Sequence, residues 1–411
     1  DGPLPGVDDS SYFGIVNLDE QKTKVDRFTA TFRHAFSDAV SIRNLTRWQR
    51  VHQYSQTSAP QGVFCLASGL QPIGATPDAT VGVPCPSGQD MAGYYYPAGP
   101  RGLVRDQLNE LLYNQTDLTI VSGTKGGIHN TLVIGGSLSQ EDYSIEVAQL
   151  LRNAGGATPN PVQGPISLAN PDTYWSGPVN YVRTGNSYGD TRGWAIYAFD
   201  TLELSPMFEL NAGLRYENSR AKFRADTVTT PATGAVYTRG ADQISDENLF
   251  SYRVGAVFHP VENVSLYAAY GNSKTPSSAT VRLGCGTNCD VAPETGRTYE
   301  IGAKAELMDK KLLLTAALFR NERSNYRVPS NDASLPSSLQ VLDGKSRVDG
   351  FALGLTGAIT PNWSIFANYT YLDGTVRQSV SNYCLANPGG GTCTNSAALP
   401  DPQAGDRLIQ T

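Results

Sequence analysis

Hydrophobic and polar residues alternate along several stretches of this 411-residue chain. In residues 208–217, every second position from Phe208 to Tyr216 is apolar, and most of the positions between them are polar. Residues 252–259, 264–270 and 363–371 repeat the pattern. Because successive side chains of a β-strand point to opposite faces, this period of two predicts strands with one apolar and one polar face.

The alternation and the turn residues between the stretches predict twelve antiparallel strands, followed by the start of another at residues 405–411. The chain is therefore predicted to be all-β. The predicted strands lie near residues 25–35, 39–55, 104–122, 128–146, 188–204, 207–225, 246–259, 264–275, 294–307, 311–327, 340–359 and 362–377.

The connections between these strands alternate between short and long. Every second connection of an antiparallel meander leaves from the same edge of the sheet, so all the long ones would lie together. This sorting is typical of a transmembrane β-barrel of the outer membrane, with tight turns at one rim and extracellular loops at the other. The long loops are expected near residues 56–103, 147–186, 226–245, 276–293, 328–339 and 378–404.

Residues 363–371 show which solvent the apolar face prefers. Trp363, Tyr369 and Tyr371 stand at the ends of this face, and Ile365 and Ala367 lie between them. Aromatic residues at both ends of an aliphatic stretch are typical of the two interfaces of a bilayer. A half-buried sheet in a soluble protein would explain the alternation, but neither the aromatic ends nor the one-sided loops.

Composition narrows the class further. No stretch of 18 or more apolar residues occurs, and the mean hydropathy is −0.30, which excludes a bundle of membrane helices. A net charge of −6 argues against nucleic acid as a partner. No linker or shift in composition divides the chain, so residues 1–411 are expected to form a single domain.

The sequence offers no catalytic or metal site. The four histidines, His34, His52, His129 and His259, are dispersed over separate predicted strands and complete no known catalytic motif. We therefore expect no enzyme activity.

The six cysteines fall as three pairs, each inside one long loop: Cys65 with Cys85, Cys285 with Cys289, and Cys384 with Cys393. Six cysteines allow fifteen pairings, but local pairing in an oxidising compartment predicts three loop disulfides. The alternative is a metal site at Cys285 and Cys289, whose spacing resembles half of a zinc site that no second half completes.

Two loop clusters combine aromatic rings with guanidinium groups. Such groups suit a ligand that is anionic and aromatic, through stacking, cation–π attraction and charge-assisted hydrogen bonds. The alternative is that these residues pack the loops together. The candidate ligand-binding residues are Tyr94, Tyr95, Tyr96, Arg101 and Arg105 in the first cluster, and Tyr174, Trp175, Tyr181 and Arg183 in the second.

Several strand segments resemble the TonB-dependent outer-membrane receptors, and among them the ferric catecholate siderophore receptors. The resemblance is weaker over residues 29–50 and does not extend to the long loops. It rests on IYAFDTLEL at 196–204, APETGRTYEIGAKAELMDKKLLLTAALFR at 292–320, RVDGFALGLTGAITPNWSIFANYTYLDG at 347–374 and GDRL at 405–408.

The resemblance implies a barrel of 22 strands with a plug inside it. This chain would then be a partial barrel of about 12–13 strands, truncated at both ends and lacking the plug domain. The implied function is TonB-dependent uptake of a ferric siderophore, of the catecholate type, across the outer membrane of a Gram-negative bacterium. Iron would be carried as the siderophore complex, with no covalently bound cofactor.

The implied partners are the ferric siderophore, outer-membrane lipid, and TonB, which would bind through the missing N-terminal region. The barrel would be a monomer. Cobalamin, haem or a saccharide is an alternative cargo for the same class of receptor, because strand motifs identify the transport machine better than its cargo. A passive porin or an adhesin built on a barrel is the alternative from another class.

Overall fold

A computed structural model describes residues 7–72, 82–98, 101–229, 236–276, 282, 284, 292–332, 334 and 340–408. Almost all of the regular structure in these residues is β-strand. The strands are β1 (Glu20–Ala35), β2 (Val40–Thr57), β3 (Gly62–Cys65), β4 (Tyr94–Pro97), β5 (Leu103–Gly123), β6 (His129–Gln149), β7 (Ile166–Ser167), β8 (Val182–Ser205), β9 (Phe208–Thr229), β10 (Val236–Thr238), β11 (Gln243–Val261), β12 (Val264–Thr275), β13 (Glu294–Leu307), β14 (Leu312–Pro329), β15 (Gln340–Thr360) and β16 (Trp363–Gln378).

The described helices are a single 3₁₀ turn, Ala154–Gly156, and a five-residue α-helix, α1 (Asn382–Ala386). Among the residues that the structure describes, no helix has the length and apolar content needed to cross a bilayer.

The main sheet is an antiparallel meander. Twelve strands pair in the order β1-β2-β5-β6-β8-β9-β11-β12-β13-β14-β15-β16, and β10 adds to β9. Antiparallel pairing of near neighbours is what a chain with alternating faces and tight turns favours. The twelve predicted strands are confirmed, and two of them, residues 264–275 and 294–307, have the predicted bounds.

The connections are sorted by length, as the sequence predicts. Short turns join β1 to β2, β5 to β6, β8 to β9, β11 to β12, β13 to β14 and β15 to β16. The longer connections all leave from the opposite edge, which we call the long-loop edge. Several strands extend further toward this edge than the alternation predicts, and β8 begins at Val182 rather than near residue 188.

The predicted start of another strand, residues 405–411, is described as far as Leu408. It lies beside β16, where the Val376 amide donates to the Asp406 carbonyl at 2.9 Å and the Leu408 amide donates to the Gly374 carbonyl at 2.9 Å. A short segment therefore pairs with the last strand of the meander.

One face of the sheet, the apolar face, carries exposed hydrophobic side chains. Its aliphatic residues include Leu138, Leu214, Ile301, Leu318 and Leu353. Aromatic residues form a row on either side of them. Phe208 and Phe258 contact each other near the short turns, with ring centroids 4.7 Å apart, and the row nearer the long-loop edge contains the ring pairs Trp194–Tyr216, Tyr252–Tyr270, Tyr270–Tyr299 and Phe351–Tyr371.

The other face, the polar face, is held by hydrogen bonds and ion pairs. Asp117 accepts a hydrogen bond from the Tyr197 hydroxyl at 2.5 Å and pairs with Arg43 at 3.3 Å. Arg215 pairs with Glu217 at 2.7 Å and lies over the Tyr197 ring, 5.6 Å from its centroid. A polar face that satisfies its own charges suits a water-filled lumen, whereas the apolar face suits lipid.

This division predicts that arginine is tolerated on only one face of β15. Leu353→Arg places a charge on the apolar face and is expected to destabilise the folded protein by about 2 to 4 kcal/mol. Urea unfolding from lipid vesicles measures the change.

The matched control is Thr356→Arg, which lies on the polar face of the same strand and has an exposed side chain. It should unfold within about 1 kcal/mol of the wild type. Equal destabilisation by the two substitutions would contradict the assignment of the faces.

Candidate ligand-binding loops

The two aromatic clusters lie in one folded unit at the long-loop edge. We call it the loop assembly and define it as residues 7–19, 58–72, 82–98, 101–102 and 150–181. A small second sheet joins its segments, since β3 pairs with β4 and β4 pairs with β7. Tyr95 lies opposite both Phe64 and Ile166 in this sheet. Loops that are far apart in the sequence therefore fold as a single body.

An aromatic cluster forms the first core of the loop assembly. Tyr95 is fully buried and stacks on Phe64, with ring centroids 4.3 Å apart. Phe13 meets both rings edge-on at 5.8 and 5.7 Å, and Ile166 closes the cluster. The Tyr95 hydroxyl donates to the Gln61 carbonyl at 2.8 Å, so the only polar atom of its ring has a partner.

A second core joins the loop assembly to the strand ends. Ile15 and Trp175 pack against Val104 of β5, and all three are buried. Asn17 clamps the Trp175 backbone, because its side chain donates to the Trp175 carbonyl at 3.0 Å and accepts from the Trp175 amide at 2.9 Å. The indole N–H donates to the Pro178 carbonyl at 3.2 Å.

Asp19 fixes the turn that leads from the loop assembly into β1. Its carboxylate accepts hydrogen bonds from the Tyr12 hydroxyl at 2.7 Å and from the Ile15 amide at 2.9 Å. Burial and the bond to this carboxylate raise the pKa of Tyr12 to about 12. Tyr12 therefore keeps its proton, and its role as donor, throughout the physiological pH range.

Arg101 lies at the centre of the loop assembly and ties three of its segments together. Its side chain donates to the carbonyl oxygens of Phe13 at 2.7 Å and Ser58 at 2.9 Å, and to the Gln163 side chain at 2.9 Å. Only 6% of the residue is exposed, and burial lowers the pKa of its guanidinium. Carbonyl oxygens thus accept the hydrogen bonds of this buried charge, and the Asp19 carboxylate attracts it without a direct hydrogen bond.

The structure separates the predicted ligand-binding residues into buried and accessible ones. Tyr95, Trp175 and Arg101 are buried and build the loop assembly. Tyr94, Tyr96 and Arg183 are partly exposed, and the most accessible side chains are Arg105, Tyr174 and Tyr181. Packing therefore accounts for the three buried members of these clusters, whereas ligand binding stays a prediction for the accessible ones.

Tyr181 and Arg183 meet on one carboxylate, that of Glu146 in β6. The Tyr181 hydroxyl donates to it, and Arg183 forms an ion pair with it. Burial and the hydrogen bond to Glu146 raise the pKa of Tyr181. Arg183 also lies over the Tyr237 ring, 5.6 Å from its centroid. These contacts fix both side chains at the long-loop edge, where β6 ends and β8 begins.

A cavity of about 530 Å³ opens beside Arg101. Its polar lining consists of Arg101, Gln149, Arg152, Asn160 and Gln163, and no carboxylate belongs to it. Burial lowers the pKa of Arg152, whose guanidinium has no acidic partner among the described residues. The cavity therefore offers positive charge and amide groups to an anion.

The sequence did not indicate several of the residues that build this site. Ser58, Arg152 and Gln163 occur singly in polar loops, without a motif. The apolar run Phe13-Gly14-Ile15-Val16 ahead of β1 was the one available signal that residues 7–19 belong to a packed unit.

Two disulfides brace the loops, in the pairs that the sequence predicts. Cys65 is bonded to Cys85, with Cα atoms 5.7 Å apart, and Cys384 to Cys393, with Cα atoms 5.6 Å apart. The predicted pair Cys285 and Cys289 lies outside the described residues. Across the described part of the chain, no group of three or more His, Cys, Asp or Glu residues could hold a metal ion.

A long antiparallel meander with one apolar face, aromatic rows and large loops at a single edge is the architecture of an outer-membrane β-barrel. Residues 2–395 match the family described as TonB dependent receptor-like, beta-barrel. The chain belongs to this family, whose members are outer-membrane proteins of Gram-negative bacteria.

Curated relatives include the catecholate siderophore receptor Fiu of Escherichia coli K12. It is 31% identical over 393 residues, which cover 90% of this chain and 46% of Fiu. The probable TonB-dependent siderophore receptor PiuA of Acinetobacter baumannii is 27% identical, covering 89% of this chain and 46% of PiuA. The chain thus spans about half the length of the curated relatives it matches.

Solved structures show the same fold. The closed form of the ferric-catecholate import receptor Fiu from E. coli K12 superposes with a TM-score of 0.71 at 25% identity, covering 95% of this chain and 53% of that one. The siderophore receptor PiuA from A. baumannii gives a TM-score of 0.72 at 23% identity, covering 99% of this chain and 53% of that one.

The position of Arg101 predicts that it holds the loop assembly together. Arg101→Met in the full-length receptor removes three hydrogen bonds from a charged donor, each worth about 1.5 to 3 kcal/mol. We expect amide hydrogen exchange to accelerate in residues 58–72 and 150–181, with no change in the barrel strands. Arg105→Met, at an exposed arginine, is the control and should leave exchange unchanged; protection retained in Arg101→Met would show that the packed rings suffice.

Loop-by-loop disulfides are expected throughout, including Cys285 with Cys289. Mass mapping of non-reduced peptides from the full-length receptor should recover the three linked pairs 65–85, 285–289 and 384–393. A peptide that joins cysteines of two different loops would refute the pairing.

Proposed function

We propose that this chain forms the barrel wall and the outer loops of a receptor that takes up a ferric siderophore, of the catecholate type, by TonB-dependent transport. The cavity beside Arg101 and Arg152 is the observation that supports a ferric siderophore as the cargo. Membership of the TonB-dependent receptor family supports transport as the function.

The relatives support this function. Fiu is named a catecholate siderophore receptor, PiuA is named a probable siderophore receptor, and a probable TonB-dependent receptor of Bordetella pertussis, BfrD, is 29% identical over 90% of this chain. The printed names of PiuA and BfrD do not mention a catecholate, so the relatives support the transport class more strongly than the catecholate cargo.

The chemistry of the loop cavity supports the cargo. A ferric complex with three catecholate groups carries a net negative charge and presents aromatic edges. Two guanidiniums in a lining that contains no carboxylate attract such a charge, and carboxamide groups can donate to its oxygens. The volume of about 530 Å³ falls within the usual range for small-molecule sites.

The rigid loop assembly supports a pre-organised site. Arg101 is already held by three hydrogen bonds, so little side-chain entropy is lost when an anion binds beside it. Tyr174 is 63% exposed on the same assembly and is free to stack on an aromatic ligand. We therefore place Arg152 and Tyr174 among the ligand contacts, together with the accessible residues of the two clusters.

Uptake of labelled iron by cells that carry the complete receptor, and lack other receptors of this type, tests the proposal. We expect uptake of a ferric catecholate complex that disappears when TonB is deleted. Arg152→Gln should raise the apparent KM about tenfold and leave the maximal rate nearly unchanged, because one charge-assisted contact is lost.

The control is Lys125→Gln, which removes one positive charge from an exposed short turn at the opposite edge and should not alter uptake. Uptake that persists without TonB would favour a passive porin. TonB-dependent uptake of cobalamin, haem or a saccharide, but not of the ferric catecholate, would support TonB-dependent transport and refute the ferric catecholate as its cargo.

A further inference from the structure

The carboxamide of Gln163 has a fixed orientation in the loop cavity beside Arg101. Its Oε1 accepts a hydrogen bond from Nη1 of Arg101 at 2.9 Å, and both side chains line the cavity. A guanidinium has donors but no acceptor, so the Gln163 atom that meets it must be the oxygen. The NH₂ group of Gln163 is therefore the end left for another partner, and it has none among the residues that the structure describes.

The backbone around Gln163 is restrained as well. Pro161 and Pro165 stand two positions before and after it, and each proline ring fixes its own φ. Ile166 follows three positions later, where it is buried in β7 and pairs with Tyr95 of β4. The N–H donors of Gln163 thus have a defined place in the lining before a ligand binds, which lowers the entropy lost on binding.

The charged groups of the lining are donors too. Arg152 has no side-chain hydrogen bond or ion pair in the described part of the chain, and Arg101 uses three of its five N–H donors within the loop assembly. Asp19 attracts Arg101 but does not belong to the lining. Gln149 and Asn160 can turn either end of their carboxamides to a ligand. The side-chain groups with a fixed role in this cavity therefore donate.

Iron loading turns a catechol from a donor into an acceptor. A phenolic hydroxyl keeps its proton at neutral pH, as a tyrosine with its ordinary pKa of about 10 does. A free catechol is therefore neutral and presents O–H donors. Ligand atoms must be deprotonated to bind a metal ion, so the hydroxyl protons pass to water when the oxygens bind Fe³⁺. The ferric complex is an anion with acceptor oxygens, which is what a donor lining binds.

We infer that Gln163 sets the preference of this cavity for an iron-loaded catecholate over the same molecule without iron. Its NH₂ group donates to a metal-bound oxygen of the ligand. Its oxygen is held by Arg101, so the carboxamide cannot turn round to accept from a free hydroxyl. The inference rests on the proposed function, since it takes a ferric catecholate as the cargo.

Calorimetric titration of the purified full-length receptor tests the inference, with one tris-catecholate as the probe, either loaded with Fe³⁺ or iron-free. The wild type should bind the ferric form at least about tenfold more tightly. Gln163→Glu keeps an acceptor for Arg101 but replaces the donor with a carboxylate oxygen. It should raise the Kd of the ferric form at least about tenfold and leave that of the iron-free form unchanged or lower. Gln163→Met removes the donor without adding charge, and should weaken only the ferric form, by less than Gln163→Glu does.

The matched control is Gln61→Glu, which adds the same charge to an exposed position of the loop assembly outside the cavity. It should keep the wild-type preference. A preference that is unchanged in Gln163→Glu, or reduced equally by Gln61→Glu, would refute the inference and leave the proposed function standing. A wild type that binds neither form would overturn both. Unchanged amide hydrogen exchange in residues 150–181 verifies that each variant retains the loop assembly.

Discussion

Backbone N–H and C=O groups that pass through hydrocarbon need partners within the protein, since each unpaired group costs several kcal/mol. The antiparallel ladder supplies these partners for every strand that lies between the two edge strands, β1 and β16, of the described sheet. Because the ladder uses only backbone atoms, the side chains are free to match the two solvents. One face, with its aromatic rows, suits lipid, and the other face, where Asp117, Arg43 and Tyr197 satisfy one another, suits water.

The same constraint explains where the molecule has a conventional core. Strands that span a bilayer bury little against other protein, so the clusters of buried hydrophobic residues lie in the loop assembly and where it meets the strand ends. The loop assembly is a rigid body because contacts join segments that are far apart in the sequence. These contacts are the packed rings of Phe13, Phe64 and Tyr95 and the hydrogen bonds of the buried Arg101. Rigidity at the long-loop edge is what a ligand site needs, because a fixed cavity binds with less loss of entropy.

The sequence predicts the barrel well because its signal is local. A period of two along residues 208–217 or 363–371 already defines both faces of a strand, and turn residues set its ends. The loop assembly could not be predicted, because Phe13, Tyr95 and Ile166 meet across long separations and follow no period. For the same reason, composition alone did not separate the buried Tyr95 and Trp175 from the accessible Tyr174. The fixed orientation of Gln163 emerges only once its contact with Arg101 is known.

Contact between the apolar face and hydrocarbon is the central claim, and the four tryptophans of the chain test it directly. Receptor variants that retain a single tryptophan can be placed in vesicles of brominated lipid, which quenches fluorescence only on contact. Trp48, Trp194 and Trp363 lie on the apolar face, and bromines near the headgroups should quench all three strongly, whereas Trp175 in the loop assembly should remain bright. Quenching of the first three no stronger than that of Trp175 would mean that protein or water, rather than lipid, covers this face.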